Sequence, residues 1–250
     1  MLKQGLQAIG AYARALQLTI RWNLWGYFVI PVLISLILGG AIFYTAYGLS
    51  DNISGWIMQI YPFERGQAVV ERVSQVLGGV LLAALGLILF KNLVIALASP
   101  FMSFLSEKIE RKLYGGESPT FSVSQAISDL VRGIRIAIRL IARELGITLV
   151  LVLIGLIPIF APVIPFLIFI VQAYYAGFGN MDFTLERYYR VRGSISFVRD
   201  HRGLAIGNGA VYLFLYFTVI GFIVALPLGT IAAATESLKH LRKGEKPQFA

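Results

Sequence analysis

The chain has 250 residues, a net charge of +9 and no cysteine. Hydrophobic residues make up 57% of it and charged residues 14%, against roughly 25% charged in a soluble domain, so the composition indicates an integral membrane protein. The lack of cysteine excludes disulfides and thiolate chemistry, and two histidines are too few for a histidine-based metal site. The positive charge favours contact with lipid headgroups over contact with nucleic acid.

Residues 1–21 form the first predicted element, an amphipathic interfacial helix. Its apolar residues recur every three or four positions and share one face: Leu2, Leu6, Ile9, Ala13, Leu16 and Ile20. Residues 22–50 follow with 29 positions that carry no charge, enough for a tilted spanning helix. A second long span is predicted at 73–99, and Lys91 lies inside it.

Residues 122–144 are predicted to form a basic amphipathic helix, because four arginines fall within an arc of about 80°. The four are Arg132, Arg135, Arg139 and Arg143. Such a helix binds anionic lipid at the interface or lines a polar path for anions. Lys91 also has two interpretations, as a lysine that snorkels to the headgroups or as a functional charge within the membrane.

Two further uncharged segments, 145–181 and 203–235, are each too short for two full crossings, since two spans and a turn need more than about 40 residues. Each is predicted to form a helical hairpin that enters the membrane partway, and prolines place the first turn at 157–165. Residues 236–250 are predicted to be a polar tail. The fold class is therefore an all-α integral membrane protein of one domain, with two long transmembrane helices, two partly penetrating hairpins and amphipathic interfacial helices.

Charge predicts the orientation of these elements. Residues 1–21 carry +3 and residues 182–202 carry +2, whereas residues 51–72 carry −1. Because Lys and Arg favour the cytoplasmic side, we expect both termini in the cytoplasm. The arginines and Lys91 have few evident partners within the chain, so we also expect a homo-oligomer.

Four stretches resemble the CysZ sulfate permeases and the related eukaryotic etoposide-induced membrane proteins. They are NLWGYFVIPVLI (23–34), ALASPFMSFLSEKIERKLYG (96–115), AYYAGFGNMDFTLERYYR (173–190) and SFVRDHRGLAIGNGAVY (196–212). The resemblance implies sodium-independent sulfate uptake, not driven by ATP, by an oligomer in the bacterial inner membrane. It also implies two long transmembrane helices with partly penetrating hairpins.

CysZ permeases commonly carry a Gly-aliphatic-Arg-Arg stretch before the first span, thought to hold sulfate. This chain has Asn23, Leu24, Trp25 and Gly26 at those positions, and its nearest arginine is Arg21. An oxyanion site needs backbone N–H donors at a helix N-terminus and a basic residue. We therefore predict anion binding by the following residues: Arg21, Asn23, Trp25 and Gly26. The alternative is that Arg21 and Trp25 are interfacial anchors.

The predicted partners are sulfate or a similar oxyanion, membrane lipids and further copies of the chain. A possible anion pathway is formed by Lys91, Arg132, Arg135, Arg139 and Arg143. A possible cytoplasmic gate is formed by Arg187, Arg190, Arg199 and Arg202, and the alternative is a loop in which these arginines pair with Asp182, Glu186 and Asp200.

No catalytic residues, metal site or cofactor are predicted. The chain has no nucleophile with an adjacent base and no zinc, P-loop or dinucleotide motif, so it is not expected to be an enzyme. The Gly-Asn-Gly at 207–209 is interpreted as a site of close helix packing or of a bend. The alternative to a permease is a membrane-structural or lipid-handling protein that transports nothing.

Overall fold

The computed structural model describes residues 2–41, 44, 67–115, 120, 122–218 and 221–242. Every regular element in those residues is an α-helix, which confirms the predicted all-α membrane fold. The helices are α1 (Leu2–Arg21), α2 (Gly26–Ala41), α3 (Gln67–Tyr114), α4 (Val123–Gly155), α5 (Ile164–Leu185), α6 (Val191–Asp200), α7 (Arg202–Tyr216) and α8 (Gly221–Leu241). Most of the predicted loop 51–72 and nearly all of 42–50 lie outside the described residues.

One face of helix α1 packs against the rest of the protein, and its apolar face points outward. Small side chains such as Ala11 and Ala15 are fully buried, and this side of α1 packs on α7 and α8. The predicted apolar face is exposed, with Leu6 at 68% and Ile20 at 62%. An exposed apolar face on a helix that is otherwise packed is what an interfacial helix presents to lipid.

The helices of the described residues that can cross a membrane include part of the predicted span 73–99 and one helix of the first predicted hairpin. By length and apolarity, the described residues contain two candidates, Ile88–Tyr114 within α3 and Ile164–Leu185, which is α5. Helix α2 qualifies only together with α1, from which it is bent by 112°. This bend falls at the predicted boundary between the interfacial helix 1–21 and the span that begins at residue 22.

Helix α4 joins two segments that the sequence analysis separates at residue 144. It continues from Val123 to Gly155, because the change from basic to uncharged residues does not interrupt backbone hydrogen bonding. The first proline after Val123 is Pro158, and residues 156–163 form the turns that lead into α5. The predicted proline-rich turn of the first hairpin is thus confirmed, whereas its first helix is much longer than expected.

The second predicted hairpin consists of α7 and α8. Helix α8 extends to Leu241, so the prediction of a polar tail starting at residue 236 was wrong for the first six residues. The Glu236 side chain is buried and accepts a hydrogen bond from Arg14 of α1 at 3.1 Å, which ties the end of α8 to the fold. Residues 243–250 of the predicted tail lie outside the described residues.

Helices α5 and α7 approach each other closely at two glycines. A Cβ atom on Gly177 would lie 1.9 Å from the carbonyl oxygen of Ala205, and one on Gly209 would lie 1.8 Å from that of Ala173. Each helix thus presents an alanine and a glycine four residues apart, which is the small-residue pattern of tightly packed membrane helices. The close packing predicted for 207–209 is confirmed.

The side chain of Asn208, between the two glycines of that segment, links three helices. Its amide donates to the backbone oxygen of Gly229 in α8 at 3.0 Å and accepts from Asn180 in α5 at 2.8 Å. Its backbone oxygen accepts a hydrogen bond from the Tyr12 hydroxyl of α1 at 2.8 Å. Buried polar groups need such partners, so this network fixes how the two hairpins and α1 fit together.

Candidate functional site

The corner between α1 and α2 holds the four predicted anion-binding residues. Helix α1 ends in a Schellman-type cap, in which Asn23 adopts φ 49° and the Leu24 amide bonds back to Thr19 oxygen at 3.0 Å. Asparagine is one of the few residues besides glycine that tolerates this left-handed conformation. Leu24 is fully buried and anchors the corner, so α2 starts beside the end of α1.

The start of α2 is open to solvent and surrounded by basic residues. Trp25 and Gly26 are exposed, and nothing lies within 4 Å of where a Gly26 side chain would begin. Two lysines of α3 reach this corner: Lys108 Nζ lies 5.4 Å from the Tyr27 ring centroid, and Lys112 Nζ lies 5.3 Å from that of Trp22. Sequence analysis missed both lysines, because they are more than 80 positions away along the chain.

We call this group the corner site. It consists of the four predicted residues and the two lysines: Arg21, Asn23, Trp25, Gly26, Lys108 and Lys112. The positive end of the α2 dipole and three nearby side-chain cations are features that favour an anion.

Lys91, predicted to line an anion pathway, forms an ion pair inside the protein. Its side chain is fully buried, it pairs with Glu144 of α4, and it donates to the Gln172 backbone oxygen at 3.3 Å. The second Glu144 oxygen accepts a hydrogen bond from Asn92 at 3.0 Å. The snorkelling interpretation was wrong, because Lys91 does not reach the surface of the chain.

Arg132 is also held by carboxylates. Its guanidinium donates to both oxygens of Asp182, at 3.0 and 3.2 Å, and to the Ser194 hydroxyl at 2.9 Å. Glu186 lies 3.7 Å away, and the Tyr189 backbone oxygen accepts a further hydrogen bond. This pairing joins α4 to the end of α5 and to α6.

Arg187, predicted as part of a gate, is locked to α3. It donates to Glu110 at 3.0 and 3.1 Å and to the Ser106 hydroxyl at 3.0 Å. Glu110 also pairs with Arg242 at 3.0 Å and accepts a hydrogen bond from Tyr188. The argument that arginines and Lys91 need a second copy of the chain for partners therefore fails for Lys91, Arg132 and Arg187.

Glu186 is a buried carboxyl at the end of α5, with its side chain 9% exposed. Burial raises its pKa from 4.5 to about 8, with Asp182 and Asp129 acting in the same direction and Arg132 opposing them. The folded protein therefore keeps this carboxyl protonated at a pH at which the unfolded chain has released the proton. The contribution of Glu186 to stability is therefore fully present below pH 4.5 and is lost as the pH rises to about 8.

The substitution Glu186→Gln removes this titration and keeps a neutral side chain of similar shape. We expect it to lower the pH dependence of stability between pH 4.5 and 8, where Glu186 contributes a slope of up to about 1.4 kcal/mol per pH unit in the wild type. Thermal unfolding of the detergent-solubilised protein across that range measures the slope. Asp200→Asn, at an exposed carboxyl, is the control and should keep the wild-type slope. Equal slopes for Glu186→Gln and wild type would contradict the assignment.

Two more arginines of α4, Arg135 and Arg139, lie beside Arg190 and Arg192 at the start of α6. They line a cavity of about 910 Å³ that we call the arginine groove. Its lining residues are Ser128, Val131, Arg132, Arg135, Arg139, Arg190, Val191 and Arg192. The structure thus unites part of the predicted pathway with part of the predicted gate.

Three further exposed arginines lie outside the groove: Arg143 in α4, Arg199 in α6 and Arg202 at the start of α7. In the part of the chain that the structure describes, neither these three nor Arg135, Arg139, Arg190 and Arg192 form an ion pair. The prediction that loop arginines pair with Asp182 and Glu186 was therefore wrong. Those acids face Arg132 instead, which leaves a large unpaired positive surface. No cluster of metal-ligating residues occurs among the described residues.

Comparison with known proteins assigns the family. The family model for the sulfate transporter CysZ and etoposide-induced protein 2.4 matches residues 11–236. The chain belongs to this family. It is also 27% identical over 244 residues to the sulfate transporter CysZ of Vibrio parahaemolyticus serotype O3:K6 (strain RIMD 2210633), covering 93% of this chain and 96% of that protein. The resemblance seen in the four sequence stretches is thereby confirmed.

Proposed function

We propose that this protein is a sulfate or oxyanion permease that catalyses no covalent step and acts in the inner membrane of a bacterium. The observation that carries the proposal is the match to a protein named as a sulfate transporter, which extends over nearly the full length of both chains. The corner site is where we place anion binding. The anion would be held by the N-terminus of α2 and by neighbouring cations, without any cofactor.

The corner site supplies charge that the missing arginine pair would otherwise provide. Arg21 comes from the end of α1, and Lys108 and Lys112 come from the neighbouring helix α3. Three cations near one helix N-terminus are chemically suited to a divalent oxyanion, although lysine binds as a point charge and lacks the planar fork of arginine. This arrangement supports the assignment of Asn23, Trp25 and Gly26 to the site.

Helix lengths support hairpins that enter and leave on one side. Helix α7 has 15 residues and spans about 22 Å, less than the roughly 30 Å of hydrocarbon. In the first hairpin, Arg143 lies 12 residues before Gly155, about 18 Å along α4. Although α5 alone is long enough to cross, it is joined to α4 at the tip, so the shorter apolar side limits the depth. We propose that both termini and the arginine-rich connectors lie in the cytoplasm.

The predicted pathway and gate residues separate into two groups under this proposal. Lys91, Arg132 and Arg187 are neutralised by carboxylates and hold helices together. The exposed arginines are available to an anion from outside the fold: Arg135, Arg139, Arg143, Arg190, Arg199 and Arg202. The unpaired charge also favours the second candidate function, a lipid-handling or membrane-structural protein of the same family fold. A homo-oligomer remains part of the proposal, because the hairpins and spanning helices of one chain are too few to enclose a narrow pathway.

Uptake of labelled sulfate into proteoliposomes tests the function. We expect wild-type flux well above that of empty vesicles, with chloride a weaker competitor than unlabelled sulfate. The substitution Arg21→Ala should weaken sulfate binding about ten- to a hundredfold, since a hydrogen bond to a charged group contributes about 1.5–3 kcal/mol. Its oligomer size should not change, because Arg21 is exposed.

Lys3→Ala is the matched control, as it removes an exposed positive charge from the other end of α1. It should bind and transport as wild type does. Flux equal to that of empty vesicles would favour the lipid-handling alternative. Normal flux with unaltered binding in Arg21→Ala would support a permease and remove this residue from the site.

A further inference from the structure

We propose that the arginine groove binds the phosphate headgroup of an anionic phospholipid, whose glycerol backbone and first acyl methylene groups cover the exposed apolar stripe of α4. This inference is independent of sulfate transport and concerns a site separate from the corner site. The ligand class is a phosphodiester lipid such as phosphatidylglycerol.

Unpaired charge is the first argument. Four arginines of the groove, Arg135, Arg139, Arg190 and Arg192, form no ion pair within the described residues. The guanidinium of Arg132 already donates hydrogen bonds to Asp182 and Ser194, so this side chain forms part of the groove wall. Arginine is well suited to bind phosphate because its planar guanidinium group donates two parallel hydrogen bonds. Arginines on two walls of one groove can therefore hold a phosphate group between them.

The size of the groove is the second argument. Its 910 Å³ corresponds to the volume of about thirty water molecules, far more than one sulfate or phosphate ion needs. Volumes in this range are typical of sites for organic ligands. A lipid headgroup with its glycerol backbone would use the space that a small inorganic ion would leave as water.

The apolar stripe beside the arginines is the third argument. Val131 lines the groove and is 49% exposed, and Ile134 and Ile138 on the same helix are 41% and 64% exposed. These positions and Ile127 are spaced three and four residues apart, so they form a continuous stripe next to the arginine row. A free anion gains nothing from this stripe, whereas the glycerol backbone and first acyl methylene groups of a lipid bury it.

Two tyrosines indicate that the groove lies at the level of the lipid headgroups. Tyr188 and Tyr189 are 37% and 39% exposed, just before Arg190, and the backbone oxygen of Tyr189 bonds to Arg132. Aromatic side chains of this kind are enriched at both surfaces of a membrane. The groove therefore combines headgroup depth, unpaired arginines and an apolar path.

Direct lipid binding tests the proposal without any uptake measurement. The purified protein in zwitterionic detergent is titrated with short-chain phosphatidylglycerol, short-chain phosphatidylcholine or inorganic phosphate, and occupancy is read by native mass spectrometry. We expect saturable binding of phosphatidylglycerol at least tenfold tighter than that of the other two. In Arg139→Gln/Arg192→Gln, one arginine from each wall, affinity should fall about thirty-fold, because each basic residue near an anionic lipid contributes about a factor of five.

Arg199→Gln/Arg202→Gln is the matched control, since it removes two exposed arginines outside the groove. It should change affinity less than threefold. Arg139→Lys/Arg192→Lys keeps the charge and should retain intermediate binding, which excludes misfolding as the cause of a loss. Equal losses in the groove and control variants, equal binding of the two lipids, or phosphate binding as tight as that of phosphatidylglycerol would each overturn the proposal. None of these results depends on whether the chain transports sulfate.

Discussion

Replacing Glu144 with glutamine should be among the most destabilising single changes in this protein. The substitution leaves the ammonium of Lys91 fully buried with no carboxylate, and the loss of one partner of a buried ion pair costs about 3–5 kcal/mol. Thermal unfolding in detergent measures the effect, which we expect as a large drop in midpoint. The neighbouring Asn92 amide would lose its acceptor oxygen only if the glutamine turned its nitrogen toward it.

A rescue variant separates the cost of the unpaired charge from the value of the pair. In Lys91→Met/Glu144→Gln neither charge remains, so most of the lost stability should return, because burying an ion pair is itself expensive. The control is Arg111→Gln, which breaks the more exposed pair with Glu107 and should cost less than about 1 kcal/mol. A Glu144→Gln protein as stable as wild type would show that Lys91 is not buried against α4. Uptake by the rescued double variant would assign the pair to structure rather than to the pathway.

The partner of Lys91 illustrates what the sequence alone could not supply. The lengths of the uncharged runs placed Lys91 within a span. Its partner Glu144 is 53 positions away and lies where the arginine-rich segment ends. Pairing across helices depends on how α3, α4 and α5 pack, and no periodic pattern encodes that contact. The same reason explains why Asp182 was assigned to loop arginines, although it binds Arg132 of α4.

Features set by local chemistry were predictable. Three prolines in nine residues disfavour a continuous helix, and the turn expected at 157–165 lies at 156–163, with Pro165 in the first turn of α5. The spacing of apolar residues in 1–21 located the outward face of α1. The bend at 22–25 left a weaker signal, namely an asparagine at position 23, a residue that readily ends a helix in the left-handed conformation. No local sequence signal pointed to Lys108 and Lys112 of the corner site, since both belong to α3.

Adding a methyl group at either glycine of the contact between α5 and α7 should strongly destabilise the protein. Gly209→Ala would place a Cβ atom 1.8 Å from the carbonyl oxygen of Ala173, so α5 and α7 must separate. Backbone atoms cannot rotate away as a side chain can, and we expect a cost of about 3 kcal/mol, at the upper end for an overpacked core. Gly177→Ala, at 1.9 Å from Ala205 oxygen, should cost about as much. Thermal unfolding in detergent measures both.

Gly146→Ala is the matched control, because it lies in the middle of α4 with nothing within 4 Å of the new methyl group. Alanine favours a helix over glycine by about 1 kcal/mol, so this variant should be slightly more stable than wild type. The two packing substitutions press on the same contact, and the double variant should cost clearly less than their sum, since the second methyl group enters a gap that the first has opened. Additive losses would mean that the contacts of Gly177 and Gly209 between α5 and α7 are independent of each other. A Gly209→Ala protein with wild-type stability would mean that the helices are farther apart, and the Asn208 network that joins the two hairpins would then lose its geometric basis.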